Sequence, residues 1–343
     1  DELSATDFFV KKSGGAKPDL KYDRPGGYLG GPVRSNRTFF FGAVEWLYDT
    51  FPEPLPQTVP TQAMRNGDFS ALLPQGTIIY DPASAQQVGA RVVRQPFPGN
   101  IIPASRINPV AAAVLKYFPL PNQTADNQGR NNFFYVNPRN DTFYSVSSRV
   151  DHRLTDRQQL FVRYTRNDRR ESRNAIYGDV NGIAPRGNFL FRTNDGVTVD
   201  QVYTMTSSTL LDVRAGWQRF KEPNVRQHEG RFDPASLGFS SAVTGLFGGA
   251  SYFPFFDFDQ FSDIGENLTS VTNHSIYSFQ PTVTRIFGNH SLRAGYDGRL
   301  YKEFGSNPGA KAGEYTFRNN AAFTRQQDNS TGVFGQDLAT FLL

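Results

Sequence analysis

The sequence predicts an all-β fold, namely a portion of an antiparallel transmembrane β-barrel with long extracellular loops. The first observation is the length of the connections, because amphipathic stretches are joined alternately by tight turns and by long polar segments. Transmembrane barrels have short periplasmic turns and long extracellular loops, whereas a soluble sandwich has no reason to place long loops at every second connection. The predicted turns are Arg34–Asn36, Thr155–Arg157, Ser207–Thr209 and Gly288–Asn289, and the long segments are Asp49–Asn140, Asp168–Gly196 and Lys221–His274.

Composition is the second observation. Aromatic residues make up 14% of the 343 residues, with 31 Phe and 15 Tyr, and glycine is equally abundant at 31, a usage that favours β structure. The sequence has no run of about 18 apolar residues, so it predicts no transmembrane helix. The absence of cysteine excludes disulfides and thiolate metal sites. The net charge of +4 is spread without a basic tract, so no nucleic-acid partner is expected.

Alternation within the strands is the third observation, and it begins in the first predicted pair, Tyr22–Gly30 and Thr38–Tyr48. In the second of these strands Phe40, Val44 and Trp46 share one face, and Glu45 lies on the other. Three later pairs alternate in the same way, with the period of two that is typical of strands. Their apolar positions are Tyr144, Val146, Val150, Leu160, Val162, Tyr164, Val197, Val199, Tyr203, Met205, Val213, Ala215, Trp217, Tyr277, Phe279, Val283, Leu292, Ala294, Tyr296 and Leu300.

The apolar face predicts contact with lipid, and the charged face predicts a water-filled lumen. The alternative is an antiparallel sheet of a soluble protein, which alternates similarly. Loop asymmetry and a set of aromatic residues near the loop ends of the strands favour the membrane barrel, because such residues form girdles at membrane interfaces. These residues are Trp46, Tyr48, Tyr144, Tyr164, Trp217 and Tyr277.

The segment 49–140 is expected to be a folded extracellular insert within a partial barrel that spans residues 1–343. It contains much of the chain's proline and one predicted helix near 109–118. Asn108 suits the N-cap, Pro109 suits the first helical position, and Pro119 ends the run. A segment of this kind is typical of a lid and not of a flexible linker. Both ends of the chain look cut, which indicates a piece of a longer protein.

Several of these stretches also resemble a known family, the Oar-like TonB-dependent receptors. Gly30–Pro32 and Asn36–Gly42 are similar to the early barrel of that family, and Ile101–Asn122 is the most specific part of the resemblance. The matching stretches occur in the family's order and span nearly the whole chain. The others are Thr58–Thr61, Met64–Ser70, Tyr80–Pro82, Pro98–Asn100, Leu237–Phe239 and Gly288–Gly295.

The resemblance implies a large barrel in the outer membrane of a Gram-negative bacterium, with a plug domain in its lumen. In that family the plug, a small β-sandwich and the TonB-interacting segment precede the barrel, and none of them is found in this sequence. The resemblance further implies that the intact protein binds a scarce solute at its extracellular loops, and that energy relayed through TonB displaces the plug. The expected partners are outer-membrane lipid, TonB through the missing N-terminal region, and an unknown solute or macromolecular ligand.

Motifs for catalysis, cofactors and metals are weak, so no enzyme activity, cofactor or metal site is predicted. His228-Glu229 lacks the second histidine of a zinc-protease motif, and Gly238–Ala242 lacks the last glycine of a nucleophile elbow. Asp126–Asn132 lacks the spaced acidic residues of a calcium loop, and a solvated turn is the better interpretation.

Two sets of residues are candidates for contact with a solute. One set is expected to face the lumen, with charged pairs across strands or salt bridges to a plug as its structural alternative. The other lies in an aromatic loop, with loop packing or the interfacial girdle as its alternatives. The lumen set is Arg149, Asp151, Arg163, Arg214, Arg293, Asp297 and Arg299, and the loop set is Tyr252, Phe253, Phe255 and Phe256.

Uptake of a solute is therefore the expected function, and the alternative from another class is an adhesion or secretion-associated barrel that binds macromolecules without import. A plug and a TonB-interacting segment upstream would favour transport. A secreted glycan-binding or hydrolytic β protein is a third interpretation, which would require the apolar faces to be buried against each other.

Overall fold

The computed structural model describes residues 5–12, 17, 20–267 and 269–343. Most of its regular secondary structure is antiparallel β, in one ten-stranded sheet and smaller sheets. The predicted all-β fold is confirmed. The strands are β1 Lys21–Asp23, β2 Gly26–Arg34, β3 Thr38–Gln57, β4 Gln86–Val88, β5 Arg91–Val93, β6 Phe133–Thr155, β7 Gln158–Arg173, β8 Asn188–Thr206, β9 Thr209–Arg226, β10 Phe255–Phe258, β11 Ser270–Phe287, β12 His290–Gly295, β13 Gly298–Ser306 and β14 Glu314–Phe317.

Short helices lie outside the large sheet, and the predicted helix near 109–118 is confirmed as one of them. The Asn108 side chain accepts a hydrogen bond from the Val110 N–H at 2.9 Å. At the other end, half-buried Arg65 donates to the carbonyls of Leu115 and Phe118 at 2.9 and 3.1 Å, which satisfies acceptors at and just beyond the end of the helix. The helices are α1 Phe8–Lys12, α2 Gln62–Arg65, α3 Pro109–Leu115, α4 Ser241–Thr244 and α5 Gln336–Leu342. In the part that the structure describes, no helix is long and apolar enough to cross a membrane.

The large sheet is a meander in which the long strands pair in the order β3–β6–β7–β8–β9–β11. At one edge, β1 and β2 both pair with β3, and at the other edge β12 and β13 both pair with β11. Each pair of short strands continues one register, so it acts as a single edge strand. Across the described residues no ladder joins the two edges, and the sheet is an open barrel wall.

All four predicted tight turns are confirmed, and they lie at one end of the wall, here called the turn end. The connections are residues 35–37, 156–157, 207–208 and 288–289. Asn36 and Gly288 have φ values of 58° and 55°, a left-handed conformation that glycine and asparagine tolerate best. The long connections all leave from the opposite end, the loop end.

Successive turns are displaced in one direction along the strands. Thr38 begins β3 opposite His152, and β6 continues past this point to Thr155. Gln158 begins β7 opposite Tyr203, and β8 continues to Thr206. The same stagger recurs between β9 and β11. A stagger of constant direction is what strands tilted in a barrel require.

Pairing across the wall confirms the predicted faces, because directly paired residues point to the same side. The apolar side is called the apolar face, and the other side is called the polar face. One row of the apolar face consists of Phe40, Val150, Val162, Val199, Ala215 and Phe279, and one row of the polar face consists of Phe39, Asp151, Phe161, Asp200, Arg214 and Gln280.

The strands are longer than the sequence predicted, which corrects the loop boundaries. Strand β3 continues to Gln57 and β6 begins at Phe133, so 49–57 and 133–140 of the predicted first loop are strand. The other two predicted loops shorten in the same way, to residues 174–187 and 227–269. Proline misled the interpretation of β3: Pro52, Pro54 and Pro56 alternate, and beyond Thr50 this strand has a described neighbour only in β6. Proline is tolerated along such an edge because the missing N–H breaks no ladder bond there.

The long connections fold together into one unit, here called the cap, which consists of the described residues in 58–132, 174–187, 227–269 and 307–343. Its hydrophobic core draws residues from all four segments, such as Phe69, Tyr177, Phe253 and Leu338. The last segment was not expected to contribute. It adds β14, which pairs in parallel with β10, and α5, in which Leu338 and Leu342 are fully buried.

The cap lies on the polar-face side of the wall. At the loop end of β6, Asn137 and Asp141 on the polar face are buried, whereas Pro138, Asn140 and Thr142 on the apolar face are exposed. The polar face at this end is therefore covered, and the apolar face remains open to the surroundings.

The predicted girdle residues lie on the apolar face, and the phenol groups of two of them form hydrogen bonds with charged side chains on the same face. The Tyr144 hydroxyl accepts a hydrogen bond from Arg166 Nε at 3.0 Å. The Tyr164 hydroxyl donates to Asp195 at 3.4 Å. An aromatic ring with its polar tip beyond the apolar band is the arrangement that a membrane interface favours.

A register test follows from neighbouring residues on β7. Val162→Arg should lower the stability of the inserted protein by roughly 2–4 kcal/mol, because the side chain lies on the apolar face within the lipid. Arg163→Val should have a mild effect, because its side chain lies on the polar face. The measurement is heat-modifiable gel migration and folded yield of each variant in outer membranes. Equal effects of the two substitutions would show that the faces are assigned one residue out of register.

Candidate functional site

Pairing places six of the seven predicted lumen residues on the polar face of the wall, and Asp297, which lies between β12 and β13, borders a hollow on that face. Arg149 lies directly opposite Arg163 in the β6–β7 ladder, and Arg299 lies opposite Ser278 on β11. Arg293 is paired with Thr284 nearer the turn end. The seven residues thus share one side of the sheet, over strands β6 to β13, although they are distant in sequence.

Most of these charges are paired in the structure. Arg149 binds Asp151 through two contacts of 2.7 and 2.8 Å, and its guanidinium lies 3.8 Å from the centre of the Phe161 ring. Arg299 binds Asp297 at 2.9 and 3.0 Å. Arg214 contacts Asp200, a residue outside the predicted set, at 2.7 Å. These pairs match the structural alternative of charged pairs within the sheet.

Arg163 and Arg293 differ from the others, because neither has an ion-pair partner within the described residues. Arg293 borders a polar hollow on the same face with Asp212, Arg214, Gln280 and Asp297. An arginine offers five N–H donors in a planar fork, which suits carboxylate or phosphate oxygens. These two side chains are therefore the predicted residues best able to contact an anionic or oxygen-rich solute.

A second group of charges lies on the polar face at the loop end, beneath the cap, and sequence reasoning missed it. Asp141 and Glu171 are only 1% and 2% exposed. Arg169 Nε donates to both oxygens of Asp141 at 3.0 Å, and Arg169 also contacts Glu171 at 3.0 Å. Arg173 and Arg192 contact Glu171 as well. These five residues are called the carboxylate–arginine network.

Burial of two carboxylates is costly unless each is paired and hydrogen-bonded, and the three arginines meet this requirement. The arginine side chains themselves remain 28–38% exposed. Their outward donors therefore face accessible space where the wall meets the cap. The network was missed because four of its five residues fell in the predicted loop Asp168–Gly196. The alternation of Arg169, Glu171 and Arg173 with period two was the signal that could have identified it.

The four predicted loop aromatics have become part of the core of the cap. Their side chains are between 0% and 5% exposed. The Phe256 ring packs against Tyr315 at 5.0 Å and against Phe341 at 5.6 Å, and Phe253 packs against Tyr117 at 4.9 Å. This arrangement agrees with loop packing, since a ligand would have to displace core contacts in order to reach Tyr252, Phe253, Phe255 or Phe256.

Asp337 and His228 are among the titratable groups that are buried inside the cap. Burial raises the pKa of Asp337 to about 6, although the N–H groups of Gln260 and Leu338 donate to its carboxylate at 2.9 and 2.8 Å. Burial lowers the pKa of His228 to about 4, and its Nδ1 lies 3.0 Å from the Ala184 carbonyl. Among the described residues, no three His, Cys, Asp or Glu side chains are placed to hold a metal ion.

Comparison with known proteins gives one family. A family model described as an outer membrane beta barrel domain matches residues 1–343. The crystal structure of the outer membrane transporter YddB from Escherichia coli aligns with a TM-score of 0.46 at 8% sequence identity, over 92% of this chain and 31% of that chain. The chain thus spans less than a third of that transporter. No curated protein matches the sequence.

The carboxylate–arginine network gives a stability prediction. Glu171→Gln should lower the free energy of unfolding by ~2 kcal/mol, because it leaves three partly exposed guanidinium groups without the buried carboxylate that they share. Asp151→Asn is the matched control, and it should cost less than about 1 kcal/mol because the side chains of Arg149 and Asp151 are 40% and 44% exposed, so water screens the pair. The measurement is urea unfolding of each variant in lipid vesicles. A cost for Glu171→Gln no larger than that for Asp151→Asn would contradict the role of the network.

The raised pKa of Asp337 gives a pH prediction for the cap. Between about pH 4 and 6 the folded state holds a proton that the unfolded chain has released, so stability falls as pH rises through this window. Relative to Asp337→Asn, the unmodified protein should therefore gain up to about 3 kcal/mol on going from pH 7 to pH 4. The contribution of His228 is common to both proteins and cancels.

Hydrogen exchange of the amides of α5, measured at several pH values, reports this difference. As the pH falls, protection of these amides in the unmodified protein should increase relative to their protection in Asp337→Asn. A difference that does not change with pH would show that the Asp337 carboxyl titrates normally.

Proposed function

The chain belongs to the outer membrane β-barrel domain family, and from that premise we propose that it forms part of the wall and the extracellular cap of an Oar-like TonB-dependent receptor. The chain is an outer-membrane protein of a Gram-negative bacterium. The intact receptor takes up a scarce solute, which binds at the extracellular loops and enters when TonB-relayed energy displaces a plug. The chain catalyses no covalent reaction in this proposal.

The observation that supports uptake most strongly is the position of the cap. It is a folded unit with its own hydrophobic core, and it covers the loop end of the polar face. A solute that enters the lumen from the loop side has to pass residues of this cap. Folded loops lose little conformational freedom on binding, which favours the capture of a dilute ligand.

Charge along the polar face suggests the chemistry of the solute. The arginines of the carboxylate–arginine network, together with Arg163 and Arg293, offer hydrogen-bond donors at successive depths from the loop end to the turn end. Such donors suit a solute that carries carboxylate, phosphate or many hydroxyl oxygens. The partners in this proposal are the solute, outer-membrane lipid, and TonB through a region upstream of these residues.

Uptake is tested by comparing cells with and without the gene. Consumption of each component of a nutrient-limited medium is measured, with and without an uncoupler that removes the energy of the inner membrane. We expect at least one component whose uptake requires both the protein and an energised membrane. Equal consumption of every component by the two strains would overturn the uptake proposal.

A second candidate is an adhesion or secretion-associated barrel that binds macromolecules without import. Large apolar side chains on the surface of the cap favour it, because exposed apolar residues commonly mark protein contacts. Leu246 and Phe323 are 80% and 63% exposed. Loss of attachment or secretion in the deletion strain, with no loss of uptake, would favour this candidate.

Orientation is tested by single cysteines, since the protein has none of its own. Gln86 lies in the cap and Asp156 lies in the β6–β7 turn, and both side chains are exposed. Gln86→Cys should react with a membrane-impermeant thiol reagent in whole cells, and Asp156→Cys should react only after the outer membrane is permeabilised. Labelling of Asp156→Cys alone in intact cells would reverse the proposed topology.

A further inference from the structure

The apolar face changes character immediately beyond its aromatic girdle. One row of paired residues contains Tyr164, Val197, Trp217 and Tyr277. The next row toward the loop end contains Arg166, Asp195, Arg219, Ser275 and Lys302, and the row after it contains Lys221. On β7, β8, β9 and β13, the apolar face therefore reaches a charged residue within one step of two residues beyond this row.

The charges in this band are not balanced. Arg166 binds Asp195 at 2.9 Å, and Arg170 binds Asp168 at 3.1 Å, so both acidic residues are engaged. Arg219, Lys221 and Lys302 have no ion-pair partner in the described part of the chain. Lys302 instead lies 5.5 Å from the centre of the Tyr277 ring, which holds its ammonium group at the level of the girdle.

We propose that Arg219, Lys221 and Lys302 form a binding site for phosphate groups of lipid headgroups in the outer leaflet of the outer membrane. The inference rests on the proposed orientation, in which the loop end is extracellular. Girdle aromatics sit at the depth of the headgroups, and cations directly beyond them meet the phosphates. The site faces outward, away from the lumen, so its ligand is a membrane lipid and not a solute in transit.

The spacing of the three cations suits a headgroup with two phosphates. Strand β11 lies between β9, which carries Arg219 and Lys221, and β13, which carries Lys302. Two strand spacings separate the two sides of the site by roughly 10 Å. A phosphorylated disaccharide headgroup such as that of lipid A can place one phosphate at each side. The site therefore selects a diphosphorylated lipid over an uncharged one.

The test uses the intact receptor in nonionic detergent, titrated with diphosphorylated lipid A and with enzymatically dephosphorylated lipid A. The unmodified receptor should bind the diphosphorylated form at least about tenfold more tightly, because each cation near the headgroups contributes to the attraction. The triple variant Arg219→Ser, Lys221→Ser, Lys302→Ser should lose this preference. The matched control removes three exposed charges from the cap, through Lys116→Ser, Arg231→Ser and Lys311→Ser, and should retain it.

Either of two outcomes overturns the site: no preference in the unmodified receptor, or equal losses in the triple variant and the control. Competition by excess inorganic phosphate at the ionic strength of the titration would show that the site takes free phosphate, which also overturns the lipid assignment. The titration in detergent does not depend on uptake or on orientation. A failure of the proposed function is therefore seen in the medium-consumption and labelling experiments, and a failure of the lipid site is seen here.

Discussion

Pairing of the backbone is the constraint on which the rest of this structure depends. Inside a bilayer, an N–H or C=O group without a partner costs several kcal/mol, so a strand can cross only beside other strands. The meander meets this requirement with ladders that run almost the full length of each strand, such as Thr38 to Gln57 against Phe133 to His152. Because directly paired residues point to the same side of the sheet, the faces of one strand fix the faces of every other strand in the wall. The wall therefore needs no packed core of its own.

Stability is divided between two parts of the chain as a result. In the wall, most large apolar residues remain exposed to the surroundings, and lipid is the environment that stabilises them. In the cap, the same residue types are buried against each other, as Phe253, Ile264 and Leu338 are. The cap behaves as a small globular unit that is built from four separated segments and is held at the loop end by the strands that enter it. Its folding is tied to formation of the wall, because only the paired strands bring the four segments together.

The sequence predicted the wall better than the cap, and the physical reason is the range of the interactions. Alternation is local, so the faces of Val162 and Arg163 could be assigned from their neighbours alone. Some strands were predicted to end before they do, because proline or clustered charge is typical of loops, as at Pro54 and Glu171. The packing of Phe256 against Tyr315 and Phe341 joins positions that are distant along the chain, and no local pattern contains that information. For the candidate site, the charges on the polar face were identified, but the partner Asp200 and the carboxylate–arginine network depended on pairing across strands.

The alternation of side chains between the two faces also explains why positively charged residues have three different roles in this protein. On the polar face, arginines within the wall are mostly neutralised by carboxylates, which suits a surface that must stay hydrated without fixing a ligand at every level. Beneath the cap, arginines share buried carboxylates, and the cost of burial makes this region rigid where the wall and cap meet. On the apolar face, Arg219, Lys221 and Lys302 have no acidic partner among the described residues, which is favourable only where the surroundings supply negative charge. A shift of any of these residues by one position along its strand would move its side chain to the other face of the sheet. The position of a charged residue in the alternation therefore decides its surroundings before its individual contacts form.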